Sequence, residues 1–344
     1  MFSYSYGPSD GSHYRKKIEQ GCDRLTDLRH LGDRDAAKQI YDDQVHILVD
    51  LMGHTGNSRL GICAYRPAPV QVTYLGYPGG TGAEFFDYMI TDRTVSPKEH
   101  ASFYSENLVY MPHSYQVNDH LQIISEKDWK RRDFGLPEKS FVFCSFSQPF
   151  KIEPLMFDIW MNILKQIPES VLWLLCRNAS AEENLKREAE SRGVSSARLV
   201  FAKELPKGEH LARQRHADLV LDTRIYNGHT TTSDALWAGV PLITLQGDHF
   251  ASRVSASLLK AVGLSELITH SLKEYEKLAV RLSGNPPELM EIRQKLERNL
   301  HTEPLFDTPR FVKNLEKAYQ EMWRIYKTGE KPKMIEVKEV APYA

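Results

Sequence analysis

Cysteine is scarce in this chain, and the little there is forms no pattern. Four cysteines, Cys22, Cys63, Cys144 and Cys176, are spread over 344 residues without a CxxC pair. That spacing excludes a zinc ribbon, a thioredoxin-type redox motif and a disulfide-stapled scaffold. Cys144 and Cys176 lie inside apolar runs and read as reduced core thiols. Long apolar runs are missing too, so no membrane-spanning helix is predicted. The opening Met1-Phe-Ser-Tyr-Ser-Tyr-Gly lacks the form of a signal peptide, and a cytoplasmic location is expected. Charge of one sign is absent: 44 basic residues oppose 45 acidic ones, for a net charge of −1. No overall field draws such a chain to nucleic acid or to an anionic membrane, and neither is expected as a partner. Several catalytic signatures are also missing. There is no GxxxxGKS/T loop, no GxGxxG after a strand, no HExxH and no GxSxG. No His/Cys/carboxylate group has convincing metal spacing. Asp33-Arg-Asp35 reads as a solvated polar turn before a helix, because it does not end a strand.

What is present is an ordinary soluble composition, 41% hydrophobic and 26% charged, long enough for two domains with their own cores. The first half begins with a strand at Phe2–Tyr6, broken at Gly7–Gly11. Further strands read at His46–Asp50, Gln71–Leu75, Tyr88–Thr91 and Asn107–Met111, with helical or loop segments such as Ala36–Asp43 and Pro97–Tyr104 between them. Pro112–Pro137 reads as a polar linker with a helical turn. Its basic cluster Lys127–Arg132 reads as a solvated face rather than a nucleic-acid patch.

From Phe141 the rhythm is regular. Strands Phe141–Ser147, Val171–Cys176, Arg198–Phe201, Leu219–Asp222, Pro241–Thr244 and Glu266–Ile268 alternate with helices Pro154–Gln166, Ala181–Arg192, Lys207–Arg215, Thr230–Gly239 and Ser252–Val262. This is the pattern of a doubly wound parallel sheet. Helices Leu272–Leu282, Pro287–Leu300 and Pro309–Tyr326 follow, and the charged tail after Lys327 reads as loosely held. The expected domains are residues 1–125, 126–310 and a C-terminal helix and tail, 311–344.

In open α/β sheets, ligands bind beyond the carboxyl ends of the strands. Five segments put polar residues there: Gln148 and Lys151, Lys207 and His210, Asn227–Asp234, Asp50 with Gly53-His54-Thr55, and Gly76–Gly82. The centre of attention is Asn227-Gly-His-Thr-Thr-Thr-Ser-Asp234. Threonines are poor in helix interiors but serve as caps and anion ligands, and the unpaired first-turn amides favour a phosphate. An ordinary capped helix is the alternative. Lys151 reads otherwise as a surface lysine, although a cation beside a helix start is unfavourable unless an anion shares the site. His210 reads equally as a solvated helix residue, and Asp50 as the cap of the next turn. His54 follows a glycine in a sharp loop, where functional residues concentrate.

At this point the residues match a known family. His46-Ile-Leu-Val-Asp-Leu, Tyr65-Arg-Pro-Ala-Pro-Val-Gln, Leu75-Gly-Tyr-Pro-Gly, Asp87-Tyr-Met-Ile-Thr-Asp, Val171-Leu-Trp-Leu-Leu and Asn227–Pro241 occur in order. From Phe2 to about Lys333 the chain resembles the catalytic region of O-GlcNAc transferase, in its bacterial type. The resemblance implies a GT-B architecture, two Rossmann-like domains facing across a cleft, the first of them truncated here. It implies inverting transfer of GlcNAc from UDP-GlcNAc to Ser or Thr hydroxyls of proteins or peptides, with no metal and no other cofactor. Gln148 and Lys151 match the pair contacting the diphosphate, with Lys151 stabilising departing UDP. Lys207 and His210 match the pair beside the nucleoside, where His210 stacks on uracil. His229, Thr230 and Thr231 match the pyrophosphate- and ribose-contacting residues, and Asp234 the ribose-binding carboxylate. Asp50 and His54 match positions facing sugar and acceptor, and with a donor phosphate oxygen they remain candidates for the base.

This sequence departs from the family pattern in several places. The family's first strand with its loop histidine, and its TPR repeats, are expected ahead of Phe2. Phe150 stands where a tyrosine is often found, and the long interdomain insert of animal enzymes is absent. A plant-type protein O-fucosyltransferase using GDP-fucose is the related alternative, separable by competition of UDP against GDP. Another protein hexosyltransferase differs only in its donor sugar. An inactive nucleotide- or protein-binding fragment is the reading from outside enzymology.

Overall fold

The computed structural model describes residues 1–339. In chain order the elements are β1 (Phe2–Ser5), α1 (His13–Gly21), β2 (Arg24–Asp27), α2 (Asp33–Asp42), β3 (Ile47–Asp50), α3 (Leu60–Ala64), β4 (Val70–Thr73), β5 (Tyr88–Asp92) and β6 (Asn107–Met111). They continue with β7 (Val142–Ser145), α4 (Pro154–Gln166), β8 (Val171–Leu175), α5 (Ala179–Ser191), β9 (Leu199–Ala202), α6 (Lys207–Gln214), β10 (Leu219–Leu221), α7 (Thr230–Trp237) and β11 (Leu242–Leu245). The chain closes with α8 (Val254–Ala261), β12 (Ile268–Thr269), α9 (Leu272–Gly284), α10 (Pro286–Asn299), α11 (Thr308–Lys327) and β13 (Ile335–Glu336).

These elements form two compact units. One comprises Met1–Ile90, Ser102–Leu108 and Tyr319–Ile335, the other Thr91–Ala101, Val109–Ala318 and the chain from Glu336. Residues 109–125, read from the sequence with the first lobe, thus group with the second. Tyr319–Ile335, read as part of a separate C-terminal segment, groups with the first. The indole of Trp323 packs on His46 with ring centroids 4.6 Å apart, a contact no local pattern announces.

In the second unit a six-stranded sheet runs β12-β11-β10-β7-β8-β9. Each neighbouring pair is parallel. The strand order reverses between β7 and β10. All five residues of β8 are buried, as are all of β7, β10 and β11. Continuous apolar burial of this kind belongs to parallel strands covered on both faces. Helix α4 starts where Glu153 accepts hydrogen bonds from the amides of Leu155 and Met156, with Pro154 in its first turn. Gly239, at φ +80°, turns the chain from α7 into β11 within the four residues that separate them.

In the first unit β3, β4 and β5 pair in parallel within a sheet ordered β13-β6-β5-β4-β3. Strands β1 and β2 form a separate two-stranded parallel sheet. Its core gathers Leu28, Ile40 and Ile62, with Tyr4 and Tyr6 packed against them. The sequence gives little sign of α1 or β2. Helix α1 buries no residue and is held by its Ser12 cap, and β2 is Arg-Leu-Thr-Asp with two exposed ends.

Two expectations are corrected. The tail after Lys327 is anchored where it is described: Ile335 is buried, β13 joins the sheet beside β6, and the Val337 amide donates to Tyr110 O at 3.0 Å, while residues 340–344 lie outside the described residues. Pairing with an edge strand anchors a polar segment that has no apolar period of its own. The segment Pro112–Pro137 does contain a helical turn, at Arg131–Phe134. It is not a solvated linker at its start, however, since Ser114, Tyr115, Gln116 and Asn118 are buried. Asp92 accepts the Tyr115 amide at 2.9 Å, and Asn118 bonds to Leu305 O and Thr308 Oγ1. Of the basic cluster, Lys127 pairs with Glu209 and Lys130 with Asp128 at the surface, while Arg131 makes a half-buried pair with Asp218. Asp33 and Asp35 sit in the first turn of α2, where Asp33 pairs with Arg59. Cys63, Cys144 and Cys176 are buried free thiols.

Replacing Ile335 with aspartate is expected to release β13, because a charge cannot stay in that buried position. Limited trypsinolysis after Lys333 should then accelerate roughly tenfold or more, with the protein still folded by circular dichroism. An unchanged cleavage rate would mean that β13 is not what holds the tail.

Candidate functional site

The loops after β7 and β10 diverge at the point where the strand order reverses, and a cleft opens between them. It measures about 250 Å³ with its open solvent included and is lined by Ser145, Ser147, Gln214, Asp222, Thr231 and Thr232, among others. Asp222, directly after β10, organises its floor. One carboxylate oxygen accepts from the amides of Gly228 (2.6 Å) and Thr223 (2.9 Å), and the other from Thr244 Oγ1 (2.6 Å). Burial raises its pKa above the usual carboxylate range, against the pull of these hydrogen bonds and of Lys151. Gly228 has no room for a side chain: a Cβ there would stand 2.4 Å from Thr232 Oγ1 and 2.7 Å from Thr231 Oγ1. The loop can therefore press its backbone against the start of α7.

Helix α7 begins with no side-chain cap. Thr232 is committed to Ser255 Oγ at 2.8 Å. Thr230 is exposed, and Thr231 Oγ1 is buried without a hydrogen-bond partner. Capping, the ordinary reason for threonines at such a place, is thus not their role here. A buried unpaired hydroxyl costs about 1–3 kcal/mol, and a ligand oxygen would recover it. His229 stands just before the helix. Burial, assisted by the Lys151 charge, lowers its pKa to about 3, so its ring is neutral. Its ring reaches Ala251 O at 3.5 Å, a contact too long to orient it strongly.

Gln148 and Lys151 leave the end of β7 on a short 3₁₀ turn, with the Lys151 amide bonded to Gln148 O at 2.9 Å. Lys151 Nζ donates to Asn227 O at 2.8 Å and lies 3.7 Å from the centroid of the Tyr226 ring. Burial lowers its pKa to about 8, with Asp222 opposing the shift. Phe150 is exposed to solvent over 76% of its surface.

The side of the site built by α6 is separate in detail. Lys207, in the first turn of α6, forms an ion pair with Asp234 of α7. Burial raises the Asp234 pKa and Lys207 offsets the rise. His210 packs against Phe146, with centroids 5.3 Å apart, and accepts at Nδ1 from Arg213 at 2.7 Å. Arginine can only donate, so Nε2 carries the imidazole hydrogen. Burial, with the charges of Arg213 and Lys207, lowers the His210 pKa to about 3. Arg213 is itself buried, its guanidinium 4.8 Å from the Phe146 ring and its pKa lowered by burial to about 10.

In the first unit, Asp50 ends β3 and accepts the amides of Gly53 (2.6 Å) and Met52 (3.3 Å). Burial raises its pKa, opposed first by the Gly53 amide. It does turn the following loop, as the cap reading held. His54 is exposed at the tip of that loop and bonds through Nε2 to Thr81 O at 2.7 Å. Thr81 is gripped in turn by buried Glu106, which accepts its amide at 2.6 Å and its hydroxyl. The loop of His54 and the glycine-rich loop after β4 approach closely at Gly76, where a Cβ would lie 2.0 Å from Leu51 O.

The structure thus brings Lys151, His229 and Thr231 near Asp222, leaves Gln148 on the turn that carries Lys151 and Thr230 exposed at the start of α7, and places Lys207, His210 and Asp234 together on α6 and α7. Asp50 and His54 share one loop of the first unit. The sequence reading missed four residues: Asp222, Tyr226, Arg213 and Glu106. A lone carboxylate closing the apolar run Leu219–Leu221 was a legible signal for Asp222. The other three act through tertiary contacts and carried none. Among the described residues, no three His, Cys, Asp or Glu side chains are placed to hold a metal ion, and no helix is long and apolar enough to cross a membrane.

Fold and site together define a doubly wound α/β protein with an uncapped helix start at its switch point. Residues 1–131 and 129–315 match the model of glycosyl transferase family 41. The chain belongs to that family. It is 42% identical to a probable UDP-N-acetylglucosamine–peptide N-acetylglucosaminyltransferase, SEC, of Arabidopsis thaliana, over 98% of this chain and 35% of that protein. A UDP-N-acetylglucosamine–peptide N-acetylglucosaminyltransferase of Caenorhabditis elegans is 29% identical over 96% of this chain and 38% of its own length. The chain therefore spans about a third of the length of the curated relatives it matches. Among solved structures, a mutant O-GlcNAc transferase of Thermobaculum terrenum superposes with a TM-score of 0.88 at 32% identity, covering 95% of this chain and 62% of that one. Anabaena HepE in complex with UDP, at 12% identity and a TM-score of 0.62 over 93% of this chain and 92% of its own, shares the fold. The fold class is GT-B-type α/β, as the sequence led one to expect.

Proposed function

We propose that this chain binds UDP-GlcNAc and transfers GlcNAc, with inversion, to serine or threonine hydroxyls of proteins. The observation that carries the reading is the pairing of Lys151 with the uncapped start of α7 and the unpartnered hydroxyl of Thr231 at the switch point. A cation, helix amides and a spare hydroxyl converging there suit a diphosphate. The names of the relatives supply the sugar and the peptide acceptor.

In this reading the pyrophosphate lies on Thr230 and Thr231, with Gln148 beside it. Neutral His229 hydrogen-bonds without adding charge, and Asp234 meets the ribose with Lys207. The imidazole of His210, held edge-on by Arg213, offers its face to the uracil. The acceptor oxygen attacks the anomeric carbon as the bond from that carbon to the UDP oxygen breaks, and its proton passes to a base. Single displacement inverts the anomeric centre. Lys151 and the α7 start neutralise the charge that develops on UDP. Asp50, His54 and a donor phosphate oxygen are the candidate bases. Nothing in the step calls on a metal ion.

The test is transfer itself: incubation with UDP-GlcNAc and serine-containing peptides, read by mass spectrometry, with GDP-fucose as the competing donor. Lys151 must be protonated to act, and it loses its proton as pH rises through about 8 in the free protein. Accordingly kcat/KM for the donor is expected to fall about tenfold per pH unit above that value. A flat alkaline limb would remove Lys151 from the mechanism, and exclusive use of GDP-fucose would replace the proposed donor.

A further inference from the structure

We propose that Tyr226 is a positioning residue for Lys151, its ring face holding the lysine as an oriented cation for the leaving diphosphate. The inference rests on the role given to Lys151 above. The ammonium stands 3.7 Å from the ring centroid, inside the range where the negative face of an aromatic ring attracts a cation. Lys151 is withdrawn from water, and a desolvated ammonium tends to lose its proton. Tyr226 and the Asn227 carbonyl offset that tendency without adding a formal negative charge, which would repel a diphosphate.

The loop is built to keep the ring there. Ile225 has φ +57°, a left-handed conformation that is costly for a β-branched residue and that turns the next side chain sharply. Thr223 Oγ1 donates to Tyr226 O at 2.7 Å, and the Asn227 side chain donates to Thr223 O at 2.9 Å. The His229 ring packs on Tyr226, with centroids 5.0 Å apart. The tyrosine therefore links Lys151 to the residue that precedes α7. The ionisable groups around the lysine are Asp222 from the end of β10 and His229 from the start of α7, with the ion pair of Arg224 and Glu153 on the flanking loops. Asp222 supports the cation, neutral His229 leaves it unopposed, and the Arg224–Glu153 pair is self-compensated.

Competitive labelling with trace acetic anhydride over a pH series, read peptide by peptide in the mass spectrometer, measures the Lys151 pKa in the full chain without requiring activity. Tyr226→Leu keeps an apolar side chain but loses the ring face, and it should lower that pKa by about one pH unit. Tyr226→Phe keeps the face and should hold the pKa near the parent value. Lys207 in the same digests serves as the reference for an intact fold. In transfer assays, Tyr226→Leu should lower kcat about tenfold, change UDP affinity little and move the alkaline limb to lower pH. An unchanged Lys151 pKa in Tyr226→Leu overturns the proposal, as does an equal fall in both variants, which would assign the effect to the hydroxyl. If Lys151→Ala were to transfer sugar normally, the functional reading would fail while the labelling result still decided the contact between Tyr226 and Lys151.

Discussion

Replacing Lys151 with alanine is expected to lower kcat for sugar transfer roughly a hundred- to a thousand-fold, the usual cost of losing one preorganised group aimed at developing charge. Lys207, the other lysine of the site, is committed to Asp234 and cannot take over. The fold should survive, because Nζ makes a single hydrogen bond, to a backbone carbonyl, and its loss strands no buried cation. Unfolding midpoints within about 1 kcal/mol of the parent are expected. Lys151→Arg retains a charge that does not titrate below about pH 12, so its alkaline limb should vanish even if the planar fork lowers the rate. Peptide transfer followed by mass spectrometry gives the rate, and thermal denaturation the fold. Near-normal turnover by a folded alanine variant would end the assignment.

The largest stability effect is expected at Asp222. Alanine there orphans the amides of Gly228 and Thr223 and the hydroxyl of Thr244 in a dry interior. At about 1–3 kcal/mol for each unsatisfied group, less what is regained by removing a desolvated carboxylate, the loss should be about 3–5 kcal/mol. Asparagine separates architecture from charge. Its carbonyl oxygen can keep both amide hydrogens, and the Thr244 hydroxyl can turn to accept from the new amide. Asp222→Asn should therefore cost less than half as much in urea denaturation. It also removes the negative charge that supports protonated Lys151, so the alkaline limb should move below about 8. Equal destabilisation by the two variants would show that charge, not the hydrogen-bond count, makes Asp222 essential.

Much of this site was legible because its residues cluster in sequence. Asn227–Asp234 is one loop and one helix turn, and the position of a helix start after a buried strand follows from apolar runs and punctuation. The elements of the second unit were read to within about two residues for the same reason, except that Glu266 and Leu267, expected in the last strand, form a 3₁₀ turn ahead of β12. Helix α4, Pro154–Gln166, announces itself with a proline start and a periodic apolar face. The first unit was less legible. Helix α1 has no buried face and β2 no alternation, so neither carries the period that sequence reading depends on.

The sequence by itself determined that this is an α/β chain with a phosphate-suited helix start at Thr230, and through its ordered motifs it pointed to the family. Only the tertiary structure decided how each group is tuned. That Thr231 lacks a partner while Thr232 is spent on Ser255 depends on a helix 23 residues further along the chain. That His229 and His210 are neutral, and that Lys151 titrates near 8, depends on burial and on charges brought in from other elements. The tail showed the same limit, since a polar strand pairs through its backbone, which every residue shares. Residue type sets which chemistry is possible, and the dielectric and the neighbours that set its strength exist only once the chain has folded.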